Sequence, residues 1–166
     1  MAKSAIMLVS ALCFMSLLNL AACKKDRFFV EGKVYCDTCR VQFFTKVSKF
    51  MEGAKVKLEC REIEGGNVTL NKEAVTDKTG SYNIEADGDH EEDVCEVSLE
   101  KSSDSDCDEV TEGGYAHKSR VSITSNSGIT NPVRQANPLS FMKKEKVPEC
   151  KEVMRELGFD EFGLPV

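Results

Sequence analysis

The stretch EGKVYCDTCR, Glu31 to Arg40, decides how the chain is read, because its two cysteines fit three different chemistries. Cys36-Asp-Thr-Cys39 has the spacing of a redox couple, of half a zinc site, or of two anchors for separate disulfides. The residues in front of it narrow the choice. Val30, Gly32, Val34 and Cys36 alternate with Glu31, Lys33 and Tyr35, the period of two of a half-buried strand. If that strand runs on through Arg40, Cys36 and Cys39 point to opposite faces. They then lie roughly 10 Å apart, beyond the separation of about 7 Å that a disulfide spans, and need different partners. A thioredoxin-like couple sits instead at a helix N-terminus, whose dipole lowers the thiol pKa. Val41, Phe43, Phe44 and Val47 fit one short apolar turn after Cys39, but Val41, Thr45 and Val47 are β-branched and no capping box is present. A zinc clip lacks ligands: there is no second CxxC, and His90 and His117 fall in unrelated segments.

The same alternation recurs outward from this stretch. Val56, Leu58 and Cys60 alternate with Lys55, Lys57 and Glu59, and Cys95, Val97 and Leu99 with Glu96, Ser98 and Glu100. Tyr82, Ile84 and Ala86, then Val121 and Ile123, repeat the pattern. Turn chemistry at Asp77-Lys-Thr-Gly80 and Asp87-Gly-Asp89 separates the strands, so the chain is expected to be all-β, a small antiparallel β-barrel or sandwich. Cys60 and Cys95 share the inward register of their strands, which predicts a bridge between them across the core. Near the C-terminus, Pro148 suits a first helical turn, and Cys150, Val153, Met154 and Leu157 follow at i, i+3, i+4 and i+7. Gly158 suits the C-terminal cap, giving one short helix whose apolar face is stapled to the strands through Cys150.

The N-terminus sets the compartment. Lys3, an apolar run from Ala5 to Leu18 and the small residues Ala21 and Ala22 before Cys23 have the pattern of a signal peptide, residues 1–23. Cleavage after Cys23 removes two of the eight cysteines and leaves an even six, as an oxidising compartment favours. Leu20-Ala-Ala-Cys23 also resembles a bacterial lipobox, but the four residues Lys24 to Arg27 are a short tether before a strand. The expected product is a secreted single domain, residues 24–166, with no membrane contact after cleavage, and a monomer.

Loss of Lys3 takes the formal charge from −6 to −7, which repels polyanions and argues against a nucleic-acid partner. The acids around His90 (Asp87, Asp89, Glu91, Glu92, Asp93) and around Cys107 (Asp104, Asp106, Asp108, Glu109) lack the ligand order of an EF-hand loop and are expected to be solvated turns. No recognisable Ser/His/Asp order or paired-carboxylate motif is present, so no catalytic, cofactor or metal residues are expected. Asn67-Val-Thr69, behind Gly65-Gly66, is an acceptor for N-glycosylation on an exposed loop.

The stretch Glu31 to Arg40, together with Gly53-Ala-Lys-Val-Lys-Leu-Glu-Cys60, Thr76-Asp-Lys-Thr-Gly-Ser-Tyr82 and Asn137-Pro-Leu-Ser-Phe-Met142, resembles the Ole e I-like family of secreted plant proteins, named for the major olive pollen allergen. Among the 15 connectivities open to six cysteines, the resemblance implies Cys36 with Cys107, Cys39 with Cys150, and Cys60 with Cys95. It further implies a small all-β module of the cell wall or pollen surface, without catalytic residues. Some members of the family bind receptor-kinase ectodomains and several are allergens. The function expected is thus non-enzymatic binding or signalling, with a cell-surface receptor or cell-wall glycoprotein as partner and no cofactor. The alternatives are a secreted thiol oxidoreductase using Cys36 and Cys39, or a disulfide-rich protease inhibitor, for which no reactive loop is identifiable. Ser140 stands where relatives often carry Gly, so a turn there needs no positive φ.

Overall fold

β1 (Arg27–Asp37) is the longest strand among the described residues, and both of its edges are used twice. Even-numbered residues face one edge: Val34 N donates to Gly80 O at 2.8 Å, and Val34 O accepts from Met51 N at 3.0 Å. Along that edge lie β2 (Lys49–Phe50) and β5 (Ser81–Asp87), both antiparallel to β1. Odd-numbered residues face the other edge, where Phe29 N donates to Pro132 O, Glu31 O accepts from Ala136 N, and Asp37 O accepts from Lys143 N. There lie β8 (Val133–Gln135) and β9 (Leu139–Met142), both parallel to β1. This sheet is therefore mixed, where the alternation pattern predicts an antiparallel one. The chain reaches β8 from the other sheet through a 3₁₀ turn at Ser125–Ser127, a crossover rather than a hairpin, and so enters in the direction of β1.

The second sheet is antiparallel throughout, in the order β4 (Val68–Val75), β3 (Lys55–Glu62), β6 (Asp93–Lys101) and β7 (Lys118–Val121). The computed structural model describes residues 26–111 and 113–160; the predicted signal peptide and the Lys24 start lie outside them. Within these residues the two sheets form a sandwich, not a closed barrel. Val30, Val34 and Ile84 from the first sheet meet Val56, Leu58 and Val97 from the second, all buried. Arg134 on β8 is also buried. Its guanidinium lies 4.7 Å from the Phe28 ring and donates to the carbonyls of Ser122, Thr124 and Asn131, so the charge is fully partnered.

Two predicted turns keep their chemistry. Gly80 has φ 71°, and a Cβ there would meet the Val34 carbonyl oxygen at 2.6 Å. Asp77 Oδ1 accepts from the hydroxyl and N–H of Thr79 and the N–H of Ser81, and these bonds hold its carboxyl below the usual carboxylate range. The helix α1 (Cys150–Glu156) buries Cys150, Val153 and Met154 but leaves Leu157 half exposed, one residue past the last helical turn. Gly158 at φ 79° closes it as a Schellman motif, with Phe159 N donating to Met154 O and Gly158 N to Arg155 O. Ser140 lies not in a turn but in β9, where all four residues are buried.

Candidate functional site

β1 ends at Asp37 and does not continue through Arg40. Asp37 is fully buried and turns the chain. Its Oδ1 accepts from Cys39 N at 3.0 Å, and its Oδ2 from Val41 N at 2.7 Å and Gln42 N at 2.6 Å. Arg40 and Gln42 adopt φ of 60° and 61°, the left-handed region that non-glycine residues rarely enter, at a cost of about 1 kcal/mol or more each. Three charge-assisted hydrogen bonds to one carboxylate offset that cost. Arg40 then reaches out of the loop to Glu109 Oε2 and the Lys143 carbonyl, each at 2.6 Å.

In this bend Cys36 is bonded to Cys107 and Cys39 to Cys150, while Cys60 and Cys95 bridge directly opposed positions of β3 and β6. The sulfurs of Cys36 and Cys39 are therefore committed to different segments, which removes the arrangement a CxxC redox couple requires. Separate partners follow from a carboxylate-centred bend, not from the two faces of a continuing strand.

The bend also presents aromatic rings to solvent. Phe43, Phe44 and Phe50 are 39%, 47% and 44% exposed. Phe44 stacks on Phe50 with centroids 5.0 Å apart and meets the edge of Tyr35 at 5.2 Å. Lys33 Nζ sits 4.5 Å from the Phe50 centroid. Burial pushes the Tyr35 phenol up, and the nearby Asp37 carboxylate adds to the effect. The sequence signal for this platform is the adjacent pair Phe43-Phe44; the β-branched residues around it argue against a helix, and the structure has bends and a turn there.

The acidic segments are not simply solvated turns. Asp106 pairs with Lys143, Asp108 with Lys144 at 3.6 Å, and Glu109 with Arg40, so the acids around Cys107 dock the basic segment after β9. Asp89 accepts from the N–H and hydroxyl of Ser125 and the hydroxyl of Thr124; the Ser125 N–H above all keeps its carboxyl low. The His90 and Asp93 side chains are only 8% exposed, with His90 Nδ1 2.7 Å from Asp93 Oδ2. A ring nitrogen of His90 and the sulfurs of Cys60 and Cys95 lie within 4.8 Å of one another, a grouping that spacing along the chain conceals. His117 stands apart, at the Gly114 carbonyl. Asn67 is exposed at the β3–β4 turn, where its Nδ2 donates to Glu62 Oε2, while the Thr69 hydroxyl donates to Asp93, with Cys60 O also within reach.

A β-sandwich with three disulfides among the described residues, two tying outlying segments to it and one inside a strand pair, is the class of protein this geometry defines. The chain belongs to the family described as "Pollen protein Ole e 1 like", which matches residues 26–158. It is 57% identical over 161 residues to an Olee1-like protein of Betula pendula, covering 96% of each chain. To pollen allergen Che a 1 of Chenopodium album it is 52% identical over 156 residues, with 93% of each covered. The anther-specific protein LAT52 of Solanum lycopersicum is 55% identical over 158 residues, covering 95% of this chain and 96% of the relative. The crystal structure of the major plantain pollen allergen Pla l 1 aligns with a TM-score of 0.66 at 35% identity, covering 75% of this chain and 99% of that one.

Proposed function

We propose that this protein is a secreted, non-enzymatic module of the plant extracellular space or cell wall, acting in pollen as a monomer of one domain, that binds a glycoprotein partner through its aromatic platform. A receptor-kinase ectodomain is the partner class that the family resemblance favours. The observation that carries this reading is the exposed stack of Phe44 on Phe50, beside Phe43 and under Lys33. Large rings kept at a surface mark interaction sites, and aromatic residues held rigid lose little entropy on binding. The names of the relatives, pollen allergens and an anther-specific protein, support the setting and the potential for allergenicity. Export supports a glycan on Asn67, an exposed residue whose Nδ2 is held only by a surface hydrogen bond to Glu62.

Binding of the mature protein to a panel of purified pollen-tube receptor-kinase ectodomains tests this. Phe44→Ala with Phe50→Ser is expected to weaken the interaction at least about tenfold with the thermal midpoint unchanged within a few degrees. Equal affinity of the double variant would remove the platform from the function.

A further inference from the structure

We propose that the Cys60–Cys95 bridge is a site of thiol–disulfide exchange, with His90, oriented by Asp93, as its acid and base. The proposal does not depend on the aromatic platform.

Three observations carry it. First, this bridge joins strands that are already hydrogen-bonded. Cys60 pairs with Cys95 in the ladder, flanked by Glu59 with Glu96 and Arg61 with Val94. Opening it leaves β3 and β6 in register, whereas the other two bridges each tie a strand end or bend to a segment outside the ladder of this sheet. Second, His90 Nε2 is buried without a hydrogen-bond partner, a costly arrangement in a structural histidine. Asp93 engages Nδ1, which fixes the ring and leaves Nε2 as the nitrogen free to serve the neighbouring sulfurs. Carboxylate, imidazole and sulfur in this order form the arrangement by which proteins move a proton to and from a thiol. Third, an open cleft of about 280 Å³ is lined by His90, Asp93, Cys95 and Arg120; Cys60 and Cys95 are themselves 0% and 3% exposed, so a small thiol in the cleft reaches Cys95 Sγ as the cleft floor opens.

The co-reactant is a small dithiol. Its thiolate attacks Cys95 Sγ, forming a mixed disulfide as the Cys60–Cys95 bond breaks. Cys60 Sγ leaves with the bonding pair and takes the proton from protonated His90 Nε2, which regains one from water. The second thiol of the reductant, as thiolate, displaces Cys95 Sγ, which is protonated in turn. The dithiol ends as its own disulfide, and the bridge has gained two electrons and two protons. In reverse, neutral Nε2 takes the proton of Cys60 to make the attacking thiolate.

The oxidised, folded mature protein is treated with dithiothreitol from pH 5.5 to 8, quenched with N-ethylmaleimide and mapped by peptide mass spectrometry. Cys60 and Cys95 are expected to label together, at least about tenfold faster than the other four cysteines, with the far-ultraviolet circular dichroism unchanged. Per mole of reductant thiolate, the rate is expected to rise toward acid pH in the parent. In His90→Gln it should be flat and about tenfold lower at pH 5.5. The charged groups lining the cleft beside the ring are Asp93, Glu91 and Arg120. Asp93→Asn, which keeps the ring and loosens its hold, should fall between the two and serves if His90→Gln does not fold. Opening no faster than the other bridges, opening only with loss of the dichroism, or an unaltered pH profile in both variants would each overturn the proposal.

Discussion

The bend after β1 and the β3–β6 pair both carry disulfides, yet they are held in opposite ways. Around the bend, hydrogen bonds to one buried carboxylate, the clamp of Arg40 on Glu109 and two long-range bridges take the place of a continuous ladder. Between β3 and β6 a full antiparallel ladder is present and the bridge lies inside it. A disulfide that substitutes for secondary structure and one that duplicates it have different local consequences when lost, even where their effects on the unfolded chain are similar.

The chain-entropy model separates the two by loop length. The Cys39–Cys150 bridge spans 111 residues, and Cys39→Ala with Cys150→Ala is expected to cost about 4–5 kcal/mol in denaturant titration. Amide exchange at Val153 and Met154 should accelerate ahead of the rest of the molecule, because a helix of 7 residues is marginal without its anchor. Exchange in α1 that stays in step with the core would break the comparison. The Cys60–Cys95 bridge spans 35 residues, and its double alanine variant is expected to lose about 3–4 kcal/mol. Here the amides of Leu58 and Val97 should open only with the whole protein, so selective loosening there would erase the distinction.

Asp37→Asn sharpens the contrast without touching a cysteine. Asparagine keeps one acceptor oxygen and points an NH₂ group at backbone donors, for an expected loss of about 2–3 kcal/mol by thermal or chemical denaturation. The Phe44 and Tyr35 ring resonances should shift as the bend relaxes, while those of Val97 should not.

The strands legible in the sequence are those with one buried and one more open face, β3, β5, β6 and the first part of β1; of the stretch expected around Val121 and Ile123, only Val121 lies in a strand, β7. β4 was hidden because it is an edge strand whose half-buried positions, Leu70, Lys72 and Ala74, include a lysine that reaches Asp87. β9 was hidden for the opposite reason, since Leu139 to Met142 are buried on both faces and no alternation survives. Of the aromatic platform only the adjacent pair Phe43-Phe44 is visible in the sequence, not the stack. It depends on Arg40 and Gln42 entering the left-handed region, which only the three-dimensional reach of the Asp37 carboxylate makes tolerable. The partners of Cys36 and Cys39 came from family resemblance and not from spacing.

The smallest expected effect concerns acid. Asp89 has a native carboxyl below its ordinary range, chiefly through the Ser125 N–H, so its contribution is complete at neutral pH and is lost as pH falls through that lowered value. The melting-temperature deficit of Asp89→Asn relative to the parent should be largest near about pH 7 and shrink toward about pH 3. A deficit independent of pH would assign Asp89 a purely steric role.

The parallel pairing of β1 with β8 and β9 also fixes an order of events during biosynthesis. Phe29 meets Val133 and Asp37 meets Met142, so the first strand among the described residues completes one of its edges only when the last of them have been made. At a synthesis rate of about 5–20 residues per second, that edge waits roughly 5 to 20 seconds for its partner. For that interval the nascent chain presents open backbone donors and acceptors to its neighbours, flanked by the charges of Arg27, Glu31 and Lys33. Alternating charges along a waiting edge discourage it from zipping onto another copy before its own C-terminal strands arrive.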